Sequence, residues 1–234
     1  MDLRVSGKDL IRNHLTMSLY NHAAIWEDNE RRMTRSYFCN GYLCINGEKM
    51  SKSTGNFMTL ATCVQKFGSD ASRIALADAG DSLNDANFDE KVANKGIMKL
   101  FVLEEWIQNN ISKDGLDFSQ DDPSQYHLWD SLLTNEVNQA VREANQSYAE
   151  MRLKNIIVIF NHLLNIKESY LIAKGGEKNA FVILRYIEAI LSIMNPITPH
   201  YCQHVWQTHV LPTLRKSSNS PKEPNEMLIN NGWP

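Results

Sequence analysis

Two lysines three residues apart, Lys49 and Lys52, stand among Ser51, Ser53, Thr54, Gly55 and Asn56, with Asn46 and Gly47 just upstream. A lysine carries a compact ammonium on a flexible stem, so a pair at this spacing can offer charge to one polyphosphate while its geometry changes. The hydroxyls add donors, Gly55 lets the backbone approach an anion, and Asn56 can bond to backbone and close the loop. These residue types read as a mobile phosphate-handling loop. Their order is not Gly-x-x-x-x-Gly-Lys-Ser/Thr, which sets them apart from the ordinary P-loop. A plain solvated basic loop has the same composition.

The surrounding residues supply elements to hold such a loop. Residues 36–45 are rich in aromatic and apolar types and Asn46-Gly47 is a strong two-residue hairpin signal, so the lysines are expected just past a hairpin tip. Behind the loop, Thr59 reads as the N-cap of a short helix over 60–67 stopped by Gly68, and residues 70–79 repeat the pattern with Gly80 as the stop. Upstream, residues 3–5 read as the end of a strand. Ser6-Gly7-Lys8-Asp9 then reads as a capping box opening a helix to about residue 26, with Ile11, Leu15, Leu19, Ala23 and Trp26 on one apolar face. A strand running straight into a helix is the arrangement at the carboxyl edge of a nucleotide-binding sheet. Residues 27–35, with Arg31, Arg32 and Arg35, read as a solvated connection that also has the charge to touch a nucleic-acid backbone.

Beyond residue 89 the pattern changes to long helices. Val92, Gly96, Leu100, Leu103, Ile107 and Ile111 form one stripe, broken over 114–123 by Gly115 and Asp121-Asp122. Three further tracts follow: about 125–148 with Leu128, Leu132, Val137, Val141 and Ala144; about 151–173 with Leu153, Ile157, Phe160, Leu164 and Ile166; and about 178–194 with Phe181, Leu184, Ile187 and Leu191. Four tracts with short breaks predict an antiparallel bundle, and the stripes are its core rather than a cofactor box. Pro199 fits a first helical turn with Thr198 as its cap. His200 and His204 share a helix face without a third ligand nearby and read as packing residues. After Pro212 the chain reads as an extended tail.

Composition narrows the classes. With 234 residues and a net charge of -3 there is a real core and no global pull toward nucleic acid, so any such contact must come from local basic patches. Cys39, Cys44, Cys63 and Cys202 form no CxxC pair, which suggests reduced thiols rather than a zinc site or a disulfide framework. Unbroken apolar runs such as 156–160 are too short for a bilayer, and a soluble intracellular protein is expected. The sheet that opens at residue 3 would present a bare edge unless something covers it.

Lys49-Met50-Ser51-Lys52-Ser53, followed by Thr54-Gly55-Asn56, resembles the KMSKS signature of class I aminoacyl-tRNA synthetases at all five positions. Asp2-Leu3-Arg4-Val5-Ser6-Gly7-Lys8-Asp9-Leu10, Ala77-Asp78-Ala79-Gly80-Asp81 and Asp85-Ala86-Asn87-Phe88 are similar to the leucyl-tRNA synthetase family of eukaryotic cytosolic and archaeal type, and the similarity runs to about Trp206. The resemblance implies that Lys49 and Lys52 are catalytic, meeting the triphosphate of ATP with its Mg2+ as leucine displaces pyrophosphate. Met50, Ser51 and Ser53 are implied to seat the loop, and Gly7 and Asp9 to hold the ribose. From the residues alone, Asp9 is either that ligand or only a helix cap.

The implied fold is mainly α. It comprises the C-terminal edge of a Rossmann-type α/β domain (1–35), a KMSKS hairpin and stem-contact region (36–88), an antiparallel α-helical bundle of anticodon-binding type (89–210) and an extended tail (211–234). The implied partners are tRNA(Leu) and the missing catalytic half in cis or trans, in the cytoplasm, with no membrane and no protein-bound metal. The segment from Pro196 to Trp206 resembles the family's Pro-x-x-Pro-His run, with Gln203 where relatives carry an acid, which implies a lost salt bridge. The family's HIGH signature has no match in this sequence, nor do an editing domain or the first half of the sheet. The chain alone is therefore expected to be inactive. Two other readings stand: a truncated, non-catalytic paralogue whose bundle binds tRNA or a protein, and a helical scaffold whose lysine loop is accidental.

Overall fold

The computed structural model describes residues 2–27, 30–51, 53–111, 126–216 and 225–234. Strands β1 (Leu3–Gly7) and β2 (Ser36–Asn40) pair in parallel, Leu3 against Ser36 through Gly7 against Asn40, so their carboxyl ends lie side by side. From β1 the chain passes through a 3-10 turn (Lys8–Leu10) and a π-helical turn (Ile11–Leu15) into α1 (Thr16–Ile25). The expected capping box does not form. Gly7 is the N-cap with no side-chain bond, and the Ser6 hydroxyl donates to the Gly7 carbonyl at 3.4 Å. Of the expected apolar face only Leu15 is buried, while Ile11, Leu19 and Trp26 stay exposed, because a two-stranded sheet is too narrow to cover a helix. Two of the arginines in the following connection are held locally: Arg32 stacks on Trp26, 4.0 Å from its centroid, and Arg35 pairs with Asp2 at 3.4 Å.

Residues 36–45 do not form one strand. Gly41 separates β2 from β3 (Leu43–Ile45), and a Cβ there would lie 2.0 Å from the Asn84 carbonyl oxygen, so only glycine lets the 81–85 segment cross. β3 then turns through Asn46 (φ 51°) and Gly47 (φ 89°) into β4 (Glu48–Lys49), with Cys44 opposite Lys49. Both central residues are left-handed, as a type I′ hairpin requires. On its other side β3 pairs in parallel with β5 (Ala86–Phe88).

Helix α2 (Leu60–Phe67) is capped by Thr59, whose hydroxyl oxygen accepts the Thr62 amide at 3.1 Å, and stops at Gly68. Helix α3 (Ser69–Ala79) stops at Gly80. Phe67, Ala75, Phe88 and Ala93 form a small core beneath the hairpin, with Leu43, Met58, Cys63 and Val92 packed on it. That core is the mount for the lysine loop.

The bundle comprises α4 (Glu90–Ile111), α5 (Leu128–Ala149), α6 (Leu153–Ala173) and α7 (Ala180–Met194), followed by α8 (Pro199–Val205), a π-helical turn (Trp206–Val210) and α9 (Leu211–Lys216). Its shared core includes Leu103, Ile107, Val137, Phe160, Leu163, Ile187 and Trp206. The predicted break at 114–123 lies outside the described residues. The phase of α5 differs from the expected stripe: Leu133, Val137, Ala140 and Ala144 face inward, and Leu128 and Leu132 face out. Asp130 takes an inward position because the Tyr170 hydroxyl (2.6 Å) and Lys174 ammonium (2.9 Å) donate to its carboxylate. Burial pushes its pKa up, but bonds from Tyr170, Lys174 and the His127 amide outweigh this and hold it below the ordinary value.

Among the described residues α6 is the one helix long and apolar enough to cross a membrane. Here it is a bundle helix, with Ile156, Phe160 and Leu163 fully buried and Lys167 enclosed 5.2 Å from the Trp106 ring centroid. Two described parts of the expected tail, 211–234, are folded. Residues 211–216 are helical, and a 3-10 turn (Leu228–Asn231) buries Leu228 in the bundle core. Gln203 donates to the Glu226 carbonyl at 2.9 Å and accepts the Leu228 amide at 3.0 Å. An acid at that position has no N–H to donate, so the amide replaces the implied salt bridge with a two-ended backbone clamp.

Candidate functional site

The site is built at the carboxyl end of β1, where the backbone emerges at Gly7, Lys8 and Asp9. A Cβ on Gly7 would lie 2.7 Å from Asp9 Oδ1, so glycine leaves room for that exposed carboxylate to fold back over the strand end. Lys8 reaches the other way. Its ammonium donates to Asp85 Oδ1 at 2.6 Å and to the Leu83 carbonyl at 3.1 Å, and it lies 4.8 Å from the Tyr42 ring centroid. The Lys49 ammonium approaches the same ring at 4.1 Å. Two cations from different elements thus share one aromatic ring.

Asp85 holds this arrangement together. Its Oδ1 also accepts the Tyr42 amide at 3.0 Å. The Lys8 hydrogen bond first, then the Tyr42 amide, keep its carboxyl below the usual aspartate value, so it stays ionised beside the two lysines.

The loop beyond Lys49 is closed at its neck. Ser51 and Asn56 form a β-bridge, with the Ser51 amide donating to the Asn56 carbonyl at 2.9 Å. The Asn56 side-chain amide reaches the carbonyls of Glu48 (3.2 Å) and Lys49 (3.4 Å), so it closes the loop across the neck as its type predicts. Inside, the Ser51 and Ser53 hydroxyls are 2.8 Å apart and Thr54 donates to the Ser51 carbonyl at 3.2 Å. The Met50 side chain is exposed, and its amide faces the Leu43 carbonyl at 3.4 Å. Lys52 lies outside the described residues.

The structure therefore gathers Lys49, Met50, Ser51 and Ser53 on one hairpin, and places Gly7 and Asp9 at the strand end that Lys8 links to it. Reading the sequence missed Lys8, Tyr42 and Asp85 as members of the site. Lys8 stands between two singled-out residues, but its carboxylate partner lies 77 positions away. Away from the site, His204 and His209 each lie 3.3 Å from Glu104, and no group of three or more metal-ligating side chains occurs among the described residues.

Residues 3–101 match the family described as tRNA synthetases class I (M), and residues 130–234 match the anticodon-binding domain of tRNA ligase. The cytoplasmic leucine–tRNA ligase of Neurospora crassa is 41% identical over 88% of this chain, and the putative cytoplasmic enzyme of Schizosaccharomyces pombe 39% over 92%. The chain belongs to the leucine–tRNA ligase family.

It spans less than a fifth of those relatives, 18% of the N. crassa ligase and 19% of the S. pombe one. Two solved class I structures share its fold. A ternary complex of Agrobacterium radiobacter K84 agnB2 LeuRS with tRNA and LeuAMS gives a TM-score of 0.72 at 17% identity, covering 100% of this chain and 29% of that one. Mycobacterium tuberculosis methionyl-tRNA synthetase with methionyl-adenylate gives 0.61 at 19% identity, covering 88% and 43%. The fold is thus a mainly helical one of class I tRNA synthetase type, with small sheets joined to a bundle of the anticodon-binding family.

Proposed function

We propose that this chain supplies the signature loop and the tRNA-holding bundle of a cytoplasmic leucine–tRNA ligase, which converts ATP, leucine and tRNA(Leu) to leucyl-tRNA, AMP and pyrophosphate. The observation that carries the reading is the convergence of Lys8 and Lys49 on Tyr42, at the base of an intact five-residue signature. Lys49 and Lys52 counter the charge that gathers on the departing phosphates as the leucine carboxylate attacks the α-phosphorus. Ser51 and Ser53 donate hydrogen bonds from the loop, Met50 seats it, and Asp9 accepts ribose hydroxyls beside Gly7. The donor set is cationic and hydroxylic, which suits a polyanion; Mg2+ arrives with ATP.

We assign residues 1–35 to the catalytic edge, 36–88 to the loop and its mount, and 89–210 to the bundle. The bundle engages tRNA(Leu) chiefly through phosphates, so its binding weakens as salt rises. The rest of the active site comes from another segment in cis or trans. By itself the chain binds ATP weakly and makes no leucyl adenylate, since preorganisation needs both parts.

Reconstitution tests this. The chain is mixed with the region of the N. crassa ligase outside the aligned segment, and leucyl-tRNA formation is followed against salt. Charging that needs both parts and declines with salt is expected. Charging no greater than with the N. crassa region alone overturns the reading.

A further inference from the structure

Helix N-termini leave amide donors that a capping side chain normally accepts. Helices α2, α5 and α7 supply their own caps in Thr59, His127 and Asn179. Helices α6 and α8 do not: Arg152 and Thr198 hold the N-cap positions without a side-chain bond. The Thr198 hydroxyl instead lies 3.2 Å from the Met194 carbonyl and 3.3 Å from the Cys202 sulfur.

The acceptors at these two N-termini come from one place. Asp70, on the first turn of α3, accepts the Tyr201 amide of α8 at 2.6 Å. Asp81, just past the end of α3, accepts the Lys154 amide of α6 at 3.1 Å. Between them, Arg73 donates to the carbonyls of Ile197 (2.6 Å) and Pro196 (2.7 Å) in the turn that joins α7 to α8. Helix α3 and Asp81 just beyond it thus present carboxylates to two helix N-termini and a guanidinium to the carbonyls that follow a third, each of the favourable sign.

The other end of the same segment holds the site. Ser82 accepts the Gly41 amide at 3.1 Å, Leu83 and Asp85 accept Lys8, and Asp85 accepts the Tyr42 amide. Residues 81–85 are therefore a short strap, with a bundle cap at one end and the Lys8–Tyr42–Lys49 group at the other. A cavity of about 390 Å3 lies beside it, lined in part by Tyr42, Arg73, Asp81, Met151 and Ile197. Ile74 and Ala77 of α3 pack into the bundle core on one side of this junction, and directed polar contacts around the open space hold the other.

We propose that Asp70, Arg73 and Asp81 are positioning residues that tie the bundle to the lysine loop, with the 81–85 strap transmitting the position of α6 to Lys8, Tyr42 and Lys49. This rests on the proposed function only for its consequence in catalysis. The coupling itself is a property of the chain.

Hydrogen exchange on the full chain tests it. Asp81→Ala is expected to raise exchange at the start of α6 and also at residues 41–49 by about 3-fold or more, with the helical circular dichroism unchanged. Asp81→Asn retains an acceptor oxygen and is expected to restore protection at residues 41–49. Faster exchange confined to α6, with residues 41–49 unchanged, would overturn the coupling. If Asp81→Ala unfolds, Arg73→Lys decides, since it keeps the charge but loses the two-pronged grip: normal protection at residues 41–49 in that variant would also overturn the coupling. In the reconstituted ligase, Asp81→Ala is expected to lower kcat for pyrophosphate exchange more than it raises KM for leucine. Coupling seen by exchange without any ligase activity would count against the proposed function and leave the strap standing.

Discussion

The Lys8 ammonium and the Asp85 carboxylate meet at 2.6 Å across 77 residues of sequence, and the same carboxylate oxygen accepts the Tyr42 amide. Asp85 therefore pairs with one of the two cations at Tyr42 while holding the Tyr42 backbone. Asp85→Asn keeps an acceptor for the Tyr42 amide and removes the charge. It is expected to bind pyrophosphate about 3-fold more tightly, and Lys8→Ala about 3-fold more weakly, as befits one partly exposed charge. Titration calorimetry reads both, and equal affinity in all three proteins would remove Lys8 from the site.

Thr59 is the side-chain cap on α2, which anchors the far end of the loop. Thr59→Ala should cost about 1 kcal/mol in a urea melt, and Thr59→Ser almost nothing. An unchanged midpoint in Thr59→Ala would mean that α2 is held by its packing against Phe88 and Ala93 and by the Lys66–Glu90 ion pair.

Much of this architecture is legible in the sequence because its signals are local. Asn46-Gly47 predicts a left-handed pair and forms one; Thr59, Gly68 and Gly80 bound their helices where their types require. The helices of the bundle follow from 3.6-residue spacing. What the sequence hides depends on distant partners. Gly41 splits a strand-like run only because the Asn84 carbonyl crosses above it, and Asp130 turns inward only because Tyr170 and Lys174 await it. The site divides the same way: Lys49 and its hydroxyl neighbours announce themselves by spacing, while Lys8, Tyr42 and Asp85 become a group only once β1 and the 81–85 strap are folded together.

The phase of α5 separates two adjacent leucines. Leu133 is 4% exposed and Leu132 44%. Leu133→Ala should destabilise by about 2–4 kcal/mol, and Leu132→Ala by less than about 1 kcal/mol. Similar losses for both would restore the stripe expected from the sequence.

Asp130 makes acid stability depend on one buried carboxylate. Its folded pKa is below the unfolded value, so its contribution is complete above the unfolded value and is lost as pH falls through the folded one. Asp130→Asn leaves the Lys174 charge without its partner and should cost about 3 kcal/mol at pH 7. The gap between the two proteins should narrow below about pH 4. A gap that stays constant from pH 7 to pH 3 would show that the carboxylate charge plays no part.

In the proposed ligase, Lys49 and Lys52 act on the phosphates of ATP within a composite active site. Leucine-dependent exchange of labelled pyrophosphate into ATP measures that step without tRNA. In the reconstituted ligase, Lys52→Ala should lower kcat by about 100-fold or more, with little change in KM for leucine, and the isolated chain should show no exchange. Full exchange by Lys52→Ala, or leucine-dependent exchange by the chain alone above its Lys52→Ala control, would contradict the account.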